Sequence, residues 1–156
     1  MRDDGTLLGI DPGLNGALAW LTPEGEVIDV TDIPILDEGP RRRLIDAVAL
    51  SALARRHRVR RAVIEAVAAR PTDGKVAAFS FGRNVGALEA IITASGLPLF
   101  RVAPITWRRW AGIPANAPKN ASLAAACRLC PEARALLTRH DRADAVLIGL
   151  WGARHA

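Results

Sequence analysis

The chain has 156 residues, half of them apolar, with a formal net charge of +5 and only two cysteines. That is enough apolar material for one sizeable core in a single domain spanning residues 1–156, and too little uninterrupted apolar sequence for a membrane span. The acids in "MRDDGTLLGI" are unlike the basic start of a secretory signal, so a cytoplasmic protein is expected.

In chain order, residues 7–11, 16–21 and 26–31 are short β-prone runs joined by the turn formers "PGLN" and "TPEG". They read as a three-stranded antiparallel meander. Residues 40–57, "PRRRLIDAVALSALARRH", place Leu44, Ile45, Val48, Ala49, Ala52 and Leu53 at helical spacing behind Pro40, so a first helix is expected there. Residues 61–67, "RAVIEAV", are too short for a helix and read as a buried strand. After the polar loop "ARPTDGK" a long helix is expected over 76–95, stopped by Gly96, and a second buried strand over 97–102, closed by Pro104. A loop rich in Trp, Arg, Pro and Asn leads to helices over 119–130 and 140–153. The apolar face of the 76–95 helix could serve as core or as an interface.

Strands followed by strand–helix–strand crossovers imply an α/β fold: a five-stranded mixed sheet, three strands antiparallel and two parallel, with helices on both faces. Sites in such sheets form at the carboxyl ends of the strands. Asp11 and Glu65 stand at two such ends, and Asp141 and Asp144 lie three apart on one face of the last helix. Each acid alone has a plainer role. "DPG" is a turn sequence, Glu65 could be a solvated strand end, and Asp141 could cap its helix with Asp144 complementing the dipole. Their conjunction points elsewhere. Four acids brought together repel one another unless cations intervene, and an all-oxygen donor set favours two Mg²⁺ or Mn²⁺ ions over zinc. Cys127 and Cys130 lack the further ligands a zinc site needs and read as reduced core residues.

The charge is unevenly spread. Residues 1–46 hold ten acids and four bases, whereas residues 47–156 hold six acids and seventeen bases, nearly all arginine. Glu65, Asp141 and Asp144 are three of those six acids. Arginine forks onto phosphate oxygens, so a polyanionic partner is expected, although a GC-rich genome would also enrich arginine.

"GIDPG", "AVIEAV" and "HDRADAVLIG" taken in order resemble the RuvC-type Holliday junction resolvases of the RNase H-like superfamily. The segments "FSFGRNVGALEAIITASGLPLFRVAPITWRRWAG" and "PKNASLAAAC" resemble its phage and prophage branch. The resemblance implies an RNase H-like fold and Mg²⁺-dependent cutting of four-way junction DNA in paired strands, leaving 5′-phosphate and 3′-hydroxyl ends. It assigns Asp11, Glu65, Asp141 and Asp144 to two metal ions, places Lys119 near the scissile phosphate, and implies a homodimer matching the twofold substrate. No segment marks out a partner motor. His140, beside the acids, is a candidate for proton transfer or metal assistance, or an ordinary surface residue. Arg70, Lys75, Arg83, Arg108, Arg109 and the cluster over residues 55–61 are candidate phosphate contacts. Trp107 and Trp110 suit either base stacking or the core. Where the family carries a DNA-wedging aromatic after the strand glutamate, this chain has "AVAARPTDGK"; Phe79 and Phe81 follow at helical spacing, which reads as core. The rival readings are an actin-like ATP-dependent phosphotransferase, a junction-binding protein without activity, and an RNase H-like nuclease acting on RNA or other branched nucleic acid.

Overall fold

The structure, a computed structural model, describes residues 5–39 and 42–156. Its main sheet is built from β1 (Thr6–Asp11), β2 (Ala17–Leu21), β3 (Val27–Asp32), β6 (Val59–Glu65) and β7 (Leu99–Val102). The strand order is β3-β2-β1-β6-β7. The first three strands pair antiparallel, while β6 and β7 run parallel to β1, giving the mixed sheet that the strand pattern predicts. Period-two alternation sorts the strand side chains. Leu8, Ile10, Leu18, Trp20, Ala62 and Ile64 face one side, where they meet Leu50 and Ala54 of α1 (Ala47–Ala54) and Leu88 and Ile92 of α2 (Lys75–Ala94). Leu7, Ala19, Leu21, Val63 and Val102 face the other side, against α5 (His140–His155).

Around α5 stand α3 (Pro104–Trp110) and α4 (Ala121–Leu129), with a 3-10 turn over Pro131–Leu136. Sandwiched between sheet and helices, α5 is buried on nearly every side from Ala143 to Leu150, which explains its near-continuous apolar run. Among the described residues no helix is long and apolar enough to cross a membrane. Both cysteines are free, and burial pushes the Cys130 thiol up to about 11, in keeping with a packing role.

The first helix begins later than its apolar spacing suggests. Residues Arg43–Ile45 form β5, paired antiparallel with β4 (Ile35–Asp37), and α1 starts only at Ala47. Asp46 sets that start, its carboxylate accepting the Val48 and Ala49 N–H groups at 3.1 and 3.0 Å. Pro40 and Arg41, the expected opening of this helix, lie outside the described residues. The small sheet is tied to α2 through buried Asn84, which accepts the Ile45 N–H at 3.1 Å and donates to the Ser80 carbonyl at 2.9 Å.

Two further departures bear on the site. The segment expected as a loop after β7 contains α3, started by Pro104 at its first turn. Lys119 lies in the turn before α4 rather than inside the helix. Phe79 is also not a core residue: it is 73 % exposed, because α2 meets the sheet through its second half, where Leu88 and Ile92 lie.

Candidate active site

Asp11 ends β1 and Glu65 ends β6, and the parallel register pairs Gly9 with Val63 and Ile10 with Ile64. One step further on, Asp11 stands beside Glu65. Both side chains share parity with Leu7 and Val63, so both point to the α5 face of the sheet. There α5 lies unusually close. A Cβ on Gly9 would overlap the Ala145 carbonyl and sit 2.7 Å from both N and Cα of Gly149, so only glycine allows this backbone approach. The contact carries the first turns of α5, with Asp141 and Asp144 one above the other, onto the strand ends.

The electrostatics show how near the acids are. Burial, then Asp144, Glu65 and Asp141, push the Asp11 carboxyl from 3.8 up to about 9, with Arg139 opposing. Burial also raises Glu65, held back by a hydrogen bond from Trp107 and by Arg108, while Asp144 pushes it further up. Asp144 is raised by burial first; Ser122, His140 and Arg108 pull it down, and Asp141 pushes it up. Asp141 pairs with His140, Nε2 to Oδ1 at 3.3 Å, and lies 4.0 Å from an Arg139 nitrogen. Arg139 also donates to the Asn15 carbonyl at 3.0 Å and to Asp32 at 3.1 Å, while Arg142 donates to Asp32 at 2.8 Å. These bonds pin the β1–β2 turn and the end of β3 to the start of α5.

The donor set is suited to hard divalent cations. All four acids offer oxygen, and Asp144 Oδ1 is buried with no hydrogen-bond partner among the described residues, a costly state unless positive charge meets it. Among the described residues no three such side chains form a closed metal cage as they stand.

Two hollows flank the acids and share Pro12, Ala77 and Phe81. One, about 420 Å³, lies between the β1–β2 turn and α2 and reaches Asp141; the other, about 620 Å³, opens at Glu65, Arg70 and Asp73. Phe81, partly buried, thus lines both hollows instead of filling the core.

The other expected residues are distributed unevenly. Arg70, Lys75, Arg83 and Arg109 are exposed, and Arg108 is half-buried beside the acids. Lys119 is exposed, makes no ion pair among the described residues, and is linked to the site through Ser122, whose hydroxyl contacts the Lys119 carbonyl at 3.4 Å. Residues 55–61 span the approach to β6 and its first three residues, whose start lies about 20 Å along the strand from Glu65. That cluster does not join the acids, and Arg56 pairs with Asp29 at 3.2 Å.

Neither candidate tryptophan is available for stacking on bases in the manner of an exposed platform. Trp107 is 1 % exposed and donates its indole N–H to Glu65 Oε2 at 2.6 Å. Trp110 is partly buried, edge-on to His155 and under the Arg154 guanidinium. Sequence reasoning missed Trp107 and Ser122 as neighbours of the acids. Pro104 followed by Trp107 and Ala111 at helical spacing was the available signal for α3.

No protein-family profile and no curated protein matches this chain. Solved structures do. Thermus thermophilus RuvC aligns with a TM-score of 0.67 at 17 % identity, covering 93 % of this chain and 91 % of that one. T. thermophilus RuvC in complex with a Holliday junction substrate gives 0.72 at 16 %, over 94 % and 91 %. The yeast mitochondrial Holliday junction resolvase Ydc2 gives 0.57 at 14 %, over 97 % of this chain and 78 % of that one. The chain therefore has the RuvC-type, RNase H-like fold.

Proposed function

We propose that this chain is a Holliday junction resolvase, a divalent-metal-dependent endonuclease that cuts four-way DNA junctions by paired nicks. The observation that carries this reading is the gathering of Asp11, Glu65, Asp141 and Asp144 at the carboxyl edge of a RuvC-type sheet. The solved structures of the same fold include a junction complex and a mitochondrial resolvase, which supports the same substrate here. None of them favours the actin-like phosphotransferase.

In this reading the four acids hold Mg²⁺ or Mn²⁺, two per site. When bound, such ions supply the Lewis acidity that phosphodiester hydrolysis requires. The chain's own groups do the positioning. Asp11, least able to ionise alone, lies deepest and is the member most dependent on cationic charge. The two hollows either side of Pro12 accommodate the strand flanking the scissile phosphate, with Asp141 on one side and Glu65 on the other. Arg70, Lys75, Arg83, Arg108 and Arg109 are assigned to phosphates, and Lys119, in the turn that Ser122 ties to Asp144, to the scissile one. The expected homodimer is best served by the first half of α2, where Val76 is 82 % and Phe79 73 % exposed.

The test uses purified protein, Mg²⁺ and a synthetic four-way junction. Paired symmetric nicks are expected, with Asp141→Asn retaining junction binding and losing cutting by roughly 10²-fold or more. Equal cleavage of plain duplex, preference for an RNA–DNA hybrid, or full activity in the variant would overturn the assignment.

A further inference from the structure

Trp107 sits where the fold gives it one contact with the acid cluster, and that contact is specific. Its indole Nε1 lies 2.6 Å from Glu65 Oε2, its ring is 1 % exposed, and the Arg108 guanidinium lies 5.6 Å from its ring centroid. We propose that Trp107 is a positioning residue for metal binding: its N–H holds one oxygen of Glu65, leaving the other to meet a divalent cation. The proposal rests on the metal-dependent nuclease reading of the four acids.

Two physical arguments and two observations support it. A glutamate at a strand end can turn about several side-chain bonds, and ordering it costs entropy that a partner must offset. An indole is rigid and can only donate, so it favours the carboxylate as acceptor and fixes its direction. The partner is also not supplied merely because a buried indole demands one. Trp20 Nε1 is buried with no hydrogen-bond partner among the described residues, so this core accommodates an indole without one. The placement of Trp107 is set by the main chain: β7 pairs with β6, Pro104 opens α3 just past the end of β7, and α3 packs against α5. The donor is therefore built into the same edge of the sheet that presents Glu65.

The first test uses the intact protein labelled with ¹⁵N. Of its four indole N–H signals, one should move on addition of Mg²⁺, and the same signal should move upfield in Glu65→Gln as the charged acceptor is lost. Trp107→Phe should remove that signal and weaken Mn²⁺ binding, read by calorimetry, roughly 10-fold. The proposal is overturned if no indole signal responds to Mg²⁺ and to Glu65→Gln, or if folded Trp107→Phe binds Mn²⁺ as the parent does. Should Trp107→Phe not fold, the signals of the parent and of Glu65→Gln still decide. Junction cutting with an unresponsive indole would remove only the role of Trp107, whereas a responsive indole in a protein that leaves junctions intact would remove only the resolvase reading.

Discussion

Burial and three neighbouring acids keep the Asp11 carboxyl protonated to about pH 9, whereas in the unfolded chain it loses its proton near 3.8. Between those values folded Asp11 holds a proton that the unfolded chain has released, so its contribution to stability is fully present below about pH 4 and is lost as pH rises toward about 9. Glu65 and Asp144 are raised in the same direction. Metal-free protein should therefore melt at progressively lower temperature across that range. Asp11→Asn should flatten the dependence, and Mg²⁺ should raise the melting temperature more at the alkaline end than at the acid end. Melts in EDTA and in Mg²⁺ across the pH range would check this; a flat metal-free profile would contradict the burial of Asp11 among like charges.

The secondary-structure elements show why a helix and a strand must touch almost backbone to backbone for the acids to meet. At Gly9 an added Cβ would meet main-chain atoms of α5, which cannot move aside, whereas at Gly149 it would meet the end of the Leu21 side chain, which can. Gly9→Ala should thus cost about 2–3 kcal/mol in urea unfolding and displace the two α5 acids, while Gly149→Ala should cost about 1 kcal/mol and leave more metal affinity. The long-period features of this arrangement were legible in the sequence: β1, β2, β3, β6, β7, α2 and α5 fall within two residues of their expected bounds. The acid at each strand end, and the pair on one turn of α5, were legible for the same reason. What escaped were pieces shorter than the pattern that identifies them. Leu44 and Ile45 fit a helical period as well as they fit the three-residue β5, and only the Asp46 cap separates the two. Phe79 continues the period of α2, but periodicity does not say where a helix leaves the sheet. The bond between Trp107 and Glu65 joins residues 42 apart and depends on the docking of α3, which no local pattern encodes.

Across the whole molecule, positive charge lies at two separate ends of the sheet. Arg70 and Arg108 lie near the acids, Arg109 lines a separate hollow with Arg108, and residues 55–61 lie at the far end of β6 from Glu65. Substituting Arg70 or Arg109 by alanine should weaken junction binding across all sequences and lower the salt slope by about one per phosphate contact. Substituting Arg55 or Arg60 should change neither, and binding titrations at several salt concentrations would separate the two groups. Replacing Phe79 by aspartate should favour monomers by sedimentation if the first half of α2 joins two copies.

The Gly9–Gly149 contact also fixes when the acid cluster can exist. Asp11 is made early and Asp141 and Asp144 near the other end of the chain, yet β1 and α5 meet in the centre of the core. A ribosome that stalls before α5 emerges releases a product with only two of the four acids and with one face of its sheet uncovered. Such a fragment would expose the apolar sheet face that α5 covers, and limited proteolysis should cleave it faster than the whole chain.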